Sequence, residues 1–148
     1  MTAPVALPQI SYTGPGFDAA FMASLRKYGF AAVVDHPLDN DRVARIYGEW
    51  LAFFSSGEAS GFRMDPVKQD GYFSLEEAEH AKGFVERDFK EYFQFYPWGR
   101  CPESLQADLA SHFSAAVDLG AELLTCIARS LPEAVTAELT EPLRDMIQ

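Results

Sequence analysis

The residues best suited to bind a metal in this sequence are its three histidines. His80 follows Glu77 with the Glu-x-x-His spacing that puts both side chains on one side of a helix, as in di-iron bundles. That site needs a second such pair, and neither His36 nor His112 has a glutamate three residues earlier. No histidine is followed two residues later by an acidic residue, the spacing used in mononuclear iron sites. We therefore predict no metal ligands, and a di-iron site at Glu77 and His80 remains an alternative.

Nucleophilic and phosphate-binding motifs are also missing from the sequence. No Gly-x-Ser-x-Gly elbow occurs, and Gly14-Pro15-Gly16 lacks the third glycine and preceding strand of a dinucleotide-binding turn. Cys101 and Cys126 have no Cys-x-x-Cys spacing, which predicts two free thiols rather than a disulfide. The acidic run Glu76-Glu77-Ala78-Glu79 is interpreted as a solvated helix face. We predict no catalytic residues, so the chain is not expected to be a catalyst by itself.

The composition excludes several classes of partner. The 148 residues include 22 Asp and Glu against 12 Lys and Arg, and the formal net charge is −10. No cationic stripe is present for nucleic acid, and the negative charge disfavours anionic membrane surfaces. No secretory leader is evident, and the apolar runs are too short to cross a bilayer. We predict a cytoplasmic globular protein with neither a nucleic-acid nor a membrane partner.

Extended segments predict strands near the start and in the middle of the chain. One is expected within Leu7–Tyr12, and the apolar run Phe30–Val34 predicts a buried strand that Pro37 ends. Gly71–Phe73 is a third candidate, whereas the aromatic run Phe89–Trp98 fits either a strand or a helix. Because Phe30–Val34 has no evident long partner, we expect an unpaired sheet edge and self-association of the isolated chain.

Amphipathic segments predict helices before and after that apolar run. The first helix runs from its expected N-cap Asp18 to Tyr28, and Gly29 suits the left-handed position that ends it. The second is capped by Asp39 or Asn40. Its apolar residues recur at helical spacing and predict a buried stripe: Val43, Ile46, Tyr47, Trp50, Leu51 and Phe54.

The remaining segments complete a predicted α+β fold. Ser55–Gly61 is expected to be a loop, and Leu75–Ala81 an acidic helical turn. The strongest helical periodicity runs from Ser104 to Leu131, and Pro132 is expected to stop it.

Several segments, in order, resemble the amino-terminal region of the isopenicillin N synthase-like oxygenases. The resemblance covers nearly the whole chain. No single motif is specific, but five segments in the right order make a strong joint case. The matching segments are Tyr28-Gly29-Phe30 with Asp35-His36-Pro37-Leu38, Trp50-Leu51-Ala52-Phe53-Phe54, Lys68-Gln69-Asp70-Gly71-Tyr72-Phe73, Asp88-Phe89-Lys90-Glu91-Tyr92-Phe93 and Leu123 to Pro132.

This resemblance implies that residues 1–148 are the amino-terminal domain of a larger enzyme. They would wrap and cap a double-stranded β-helix (jelly-roll) barrel that follows residue 148 as the same or a separate chain. That barrel would carry the iron ligands, so the resemblance implies Fe(II) and 2-oxoglutarate as cofactors of the full-length oxygenase and none for this segment. Oxidation of a small organic substrate by O₂ is the implied activity. The alternative is a freestanding binding or regulatory module that has lost its barrel.

The same resemblance points to substrate contacts on the Lys68–Phe73 segment. In isopenicillin N synthases an arginine that binds the substrate carboxylate precedes an Asn-Gly-Tyr-Tyr strand. Here the matching position is Gln69, and the second tyrosine is Phe73. Those differences argue against a penicillin precursor as substrate. Gln69, Tyr72 and Phe73 remain the predicted substrate-contact residues, and a structural strand with a buried tyrosine is the alternative.

Overall fold

The computed structural model describes residues 6–75, 89–139 and 141–147. Its helices are α1 (Phe17–Tyr28), α2 (Asn40–Ser56), α3 (Glu103–Arg129) and α4 (Glu133–Thr136), with 3-10 turns at Glu58–Phe62 and Leu143–Ile147. Its strands are β1 (Gln9–Ser11), β2 (Ala32–Val34), β3 (Gly71–Phe73) and β4 (Tyr92–Gln94).

These elements give an α+β chain with two small sheets and, within the described ranges, no closed barrel. The chain divides into two compact units. The first consists of Met1–Leu38 with Phe113–Gln148, and the second is Asp39–His112. Nowhere in the described ranges is a helix both long and apolar enough to cross a membrane.

In the first unit, α1 connects the two strands of a parallel pair. Ile10 of β1 lies opposite Val33 of β2, and the Tyr12 N–H continues the ladder by donating to the Val34 carbonyl at 2.8 Å. The helix ends as predicted at Gly29, whose φ of 81° lets its N–H donate to the Leu25 carbonyl. The core of this unit combines α1 with the carboxyl-terminal half of α3: Phe21, Met22 and Cys126, flanked by Phe17, Leu25, Ala31, Val33, Leu123 and Ile127.

Two predictions for this unit are wrong. Gly16, with φ of 75°, is the N-cap of α1, and Asp18 lies in the first turn, where its carboxylate pairs with Arg129 at 3.5 Å. The helix therefore begins two residues earlier than an Asp18 cap would allow, and its first residue, Phe17, stacks its ring on Phe21. The strand predicted at Phe30–Val34 starts only at Ala32, is half-buried, and leaves the Phe30 side chain 59% exposed. A two-stranded sheet cannot enclose both faces of such a strand.

In the second unit, Asp39 caps α2 as predicted. Its Oδ1 accepts hydrogen bonds from the N–H groups of Asp41 and Arg42 at 2.9 and 3.0 Å. The predicted buried stripe of this helix is only partly covered, because the side chains of Tyr47 and Leu51 are 70% and 69% exposed. The predicted loop at Ser55–Gly61 is instead the end of α2 followed by a 3-10 turn.

The ambiguous aromatic run contains a strand. Residues Tyr92–Gln94 form β4, which pairs antiparallel with β3 so that Tyr72 lies opposite Phe93. The long helix α3 starts at Glu103, one residue before the predicted Ser104, and ends at Arg129, two residues before the predicted Leu131. Pro132, which was expected to stop this helix, is the N-cap of α4. The acidic turn predicted at residues 75–81 lies outside the described residues, apart from Leu75.

Candidate functional site

The three predicted substrate-contact residues lie on or beside β3 but do not share a site. Gln69 is exposed in the turn before the strand, with φ of 59°, and its Nε2 donates to the Pro66 carbonyl at 2.8 Å. Tyr72 and Phe73 are adjacent in β3, so their side chains project from opposite faces of the hairpin. Phe73 is buried and stacks on the Tyr92 ring, with a centroid separation of 4.5 Å. Of the three, Tyr72 lies beside a pocket.

The Tyr72 hydroxyl donates a hydrogen bond of 2.6 Å to Oε2 of Glu91, the residue that precedes β4. Both side chains line an open pocket of about 420 Å³. This polar pocket carries an anionic carboxylate, a cationic guanidinium and three hydroxyls: it is lined by Ser60, Arg63, Tyr72, Ser74, Leu75 and Glu91. Groups of both charges and a fixed phenol can orient a small polar molecule by hydrogen bonds.

Glu91 also lines a larger, apolar groove of about 700 Å³. Rings and aliphatic side chains of α2 form one side of this groove, and the β4 segment forms the other: Ile46, Tyr47, Trp50, Leu51, Phe54, Glu91, Tyr92 and Phe93. Phe93 lies 4.9 Å from Trp50 between ring centroids, so the rings that line the groove support each other. The sequence predicted an apolar face on α2 but assigned it to the core.

A buried carboxylate fixes the strand that carries Tyr72. Asp70 has no exposed surface, and its Oδ2 accepts hydrogen bonds from the N–H of Arg100 at 2.6 Å and from the Arg100 Nε at 3.4 Å. The Arg100 Nη2 in turn donates to the Arg63 carbonyl at 2.6 Å. The main-chain N–H of Arg100, more than its guanidinium, holds the pKa of Asp70 below its usual range.

Two glycines allow this close packing around Asp70 because they lack a Cβ atom. Gly71 has φ of 109°, and a Cβ there would overlap the Phe62 carbonyl oxygen. A Cβ at Gly99 would lie 3.0 Å from Cβ of Asp70. The sequence analysis missed the contact between Asp70 and Arg100, since 30 residues separate the two.

The histidines do not assemble a metal site in the part of the chain that is described. His36 follows β2, and its enclosed Nδ1 has no hydrogen-bond partner among the described residues. His112 lies half-buried in α3, while Glu77 and His80 fall outside the described residues. Across residues 6–75, 89–139 and 141–147, no three His, Cys, Asp or Glu side chains group closely enough to hold a metal ion. These residues therefore do not fit an Fe(II) site.

Both cysteines are free, as predicted. Cys126 belongs to the core of the first unit, and its Sγ lies 3.9 Å from the Asp18 carbonyl oxygen. Burial raises the pKa of Cys101 to about 11, which makes it a poor nucleophile at neutral pH.

Comparison with known proteins relates the chain to an oxygenase. No protein-family model and no curated protein matches the sequence. A crystal structure described as a "putative oxygenase from Shewanella oneidensis" is similar, with 39% sequence identity over 96% of this chain and a TM-score of 0.85. The chain spans 51% of that protein, about half its length. The similarity extends over both sequence and fold, so the oxygenase-like relationship predicted from the sequence is supported at this level.

Proposed function

We propose that this chain is the amino-terminal part of an Fe(II)- and 2-oxoglutarate-dependent oxygenase of the isopenicillin N synthase-like type, which oxidises a small organic molecule with O₂. The observation that supports the proposal is the 39% identity with the Shewanella oneidensis protein over 96% of this chain. That protein's own description extends only to oxygenase activity. The iron and 2-oxoglutarate dependence proposed here rests on the ordered motifs in the sequence.

The proposal assigns different tasks to two parts of the enzyme. A jelly-roll region after residue 148 would provide the iron ligands and bind 2-oxoglutarate, because the described residues lack a cluster able to hold a metal. The present segment would support that barrel as its cap and cover the substrate site. Within it, Tyr72 is the predicted contact residue that lines a pocket, and it does so with a hydroxyl already oriented by Glu91. With its two free cysteines, the enzyme is expected to work in the cytoplasm.

The test compares the 148-residue chain with the product of the complete reading frame. We expect the longer protein to convert 2-oxoglutarate to succinate in an O₂- and Fe(II)-dependent reaction, and the shorter chain to give no conversion above a protein-free control. The matched control is the longer protein with alanine in place of the first histidine of its expected His-x-Asp motif.

Turnover by the 148-residue chain alone would refute this division of tasks. A longer protein that is folded, loaded with Fe(II) and silent toward 2-oxoglutarate with a panel of small substrates would refute the cofactor assignment. A reading frame without a His-x-Asp motif would also contradict the proposal, and would favour a freestanding binding or regulatory module.

A further inference from the structure

Helix α2 presents apolar side chains to solvent where helical spacing predicts burial. Tyr47 and Leu51, one turn apart on the same side of the helix, are 70% and 69% exposed. Both line the apolar groove, together with Trp50 and Phe54. Single exposed apolar residues are common on proteins, but a contiguous group on one helix face marks an interaction surface.

The groove has a fixed shape. Trp50 contacts Phe53, Phe54 and Phe93 with ring centroids 4.9 to 5.8 Å apart, and Phe53 is itself buried. These contacts hold the lining rings in place without an occupant, so docking would require little rearrangement of the groove.

The chemistry of the lining favours a protein surface over a small ligand. Small-molecule sites combine apolar walls with several convergent polar groups. Among the described residues that line it, the one carboxylate is Glu91, which already accepts the Tyr72 hydrogen bond, and none is Lys or Arg. The occupant should therefore contribute mainly apolar side chains.

We propose that this groove is the docking surface for the region that follows residue 148, an inference that rests on the proposed function. The similar Shewanella protein matches 96% of this chain yet is about twice as long, since the chain covers 51% of it. If this chain is likewise part of a longer protein, as the proposed function holds, the additional region needs surfaces of this chain to pack against. The groove, at about 700 Å³ and with two side chains about 70% exposed, is such a surface.

Hydroxyl-radical footprinting tests this directly, because it reports the solvent exposure of Tyr and Leu side chains. It is applied to the 148-residue chain and to the full reading-frame product, with buried Phe53 as the protected reference in both. We expect oxidation of Tyr47 and Leu51 to fall severalfold in the longer protein. Equal oxidation in both proteins would overturn the inference, as would a reading frame that ends near residue 148.

A pair of variants gives an independent measurement. Leu51→Lys keeps good helix propensity, and Val67→Lys changes a side chain that is 91% exposed and does not line the groove. In the longer protein, Leu51→Lys should lower Tm by about 5 °C or more and Val67→Lys by much less, because only the former would bury a charge. In the 148-residue chain neither should shift Tm appreciably.

Two further outcomes separate this inference from others. Protection that appears in the 148-residue chain only as its concentration rises would assign the groove to a second copy instead. Conversion of 2-oxoglutarate is measured on the same preparations. Turnover with an exposed groove would overturn the docking surface alone, whereas a protected groove in an inactive protein would overturn the proposed function alone.

Discussion

The main-chain N–H of Arg100 donates a 2.6 Å hydrogen bond to Oδ2 of Asp70, although 30 residues separate the two in sequence. Asp70 immediately precedes β3, and Arg100 follows β4. The contact therefore ties together the two ends of the chain segment that contains the hairpin. Because Tyr72 lies two residues beyond Asp70, this buried carboxylate positions the polar pocket as well as the fold.

Replacing Asp70 with asparagine should destabilise the protein. The amide oxygen could still accept from the Arg100 N–H, but the NH₂ group would take the place of Oδ1, which is enclosed and has no hydrogen-bond partner among the described residues. We expect Asp70→Asn to lower the free energy of unfolding by about 1–3 kcal/mol, the cost of a buried unpaired donor. Urea denaturation measures the change, and Asp118→Asn on the exposed side of α3 is the control.

The stability contributed by Asp70 should depend on pH in a defined direction. Its pKa is held below the usual value, chiefly by the Arg100 N–H. The contribution is thus complete above the unfolded pKa, about 3.9, and is lost as pH falls through the lower folded value. The stability difference between wild type and Asp70→Asn should be constant above about pH 5 and shrink below about pH 4.

Denaturation curves measured from about pH 3 to about pH 7 would test this second prediction, because that range roughly brackets the titration of a carboxyl group. The pKa values of Asp39, Asp65 and Asp108 are also lowered, each by hydrogen bonds to its carboxylate. Asp39 and Asp108 titrate alike in both proteins and cancel in the difference, whereas the charge of Asp70 raises the pKa of Asp65, so removing that charge lowers the Asp65 pKa further. A difference that grows as the solution becomes more acidic would mean that Asp70 is protonated in the folded state.

Local sequence signals predicted the elements of this fold well, and tertiary contacts account for the failures. Gly29 and Asp39 act as caps as expected because each makes its capping hydrogen bonds with residues of its own helix, whereas Asp18, which was also expected to cap, pairs with distant Arg129. Phe30 and Leu51 were expected to be buried, since periodicity identifies an apolar face without identifying what covers it. The bond between Asp70 and Arg100 left no local signal at all, because its partners meet only after the hairpin has formed.

The ring cluster of the second unit should depend strongly on Phe53. Its side chain is 5% exposed and lies between the rings of Trp50, Phe54, Phe62 and Phe93, at 5.4 to 5.7 Å. Phe53→Ala should lower the free energy of unfolding by about 3–5 kcal/mol through lost burial and a residual cavity.

Phe53→Leu, which fills most of the same volume, should cost less than Phe53→Ala. Leu51→Ala, at an exposed position on the same helix, is the matched control and should cost least in the 148-residue chain. Urea denaturation followed by near-UV circular dichroism reports all three. If Phe53→Ala and Leu51→Ala were equally mild, the cluster would not be the core of this unit.

Cys101 should react slowly with alkylating agents. A pKa of about 11 leaves far less thiolate at pH 8 than an ordinary cysteine has. Because the thiolate is the nucleophile, we expect alkylation by iodoacetamide about a hundredfold slower than for an unperturbed thiol, with a rate that rises up to about pH 11. Peptide mass mapping follows Cys101 separately from Cys126. Urea-unfolded protein is the control, and equal rates in the two states would contradict the raised pKa.

The structure distinguishes among the three predicted substrate-contact residues more fully than the sequence does. Gln69, Tyr72 and Phe73 are nearly consecutive, and the alternation of a strand already separates the last two onto opposite faces. Which face has a pocket depends on Glu91 and Arg63, and neither residue was among the predicted substrate contacts. Under the proposed function Tyr72, which lines the pocket, is the candidate substrate contact, whereas Phe73 packs against Tyr92.

Tyr72→Phe distinguishes a substrate contact from a packing residue. The substitution keeps the ring, which lies 6.1 Å from Phe54, and removes the hydroxyl that donates to Glu91. If the proposed oxygenase binds substrate here, its substrate KM should rise roughly five- to tenfold, the effect of one lost hydrogen bond. The KM for 2-oxoglutarate should not change, because that cofactor would bind in the other half of the enzyme.

Substitutions at Glu91 provide the matched controls for this last prediction. Glu91→Gln retains an oxygen that can accept from the Tyr72 hydroxyl and should raise the substrate KM less than Tyr72→Phe, whereas Glu91→Ala leaves the hydroxyl unoriented and should raise it at least as much. Urea denaturation of the same variants measures any loss of folding stability. A stability loss of about 1 kcal/mol in Tyr72→Phe with an unchanged substrate KM would assign the hydroxyl a purely structural role in the hairpin.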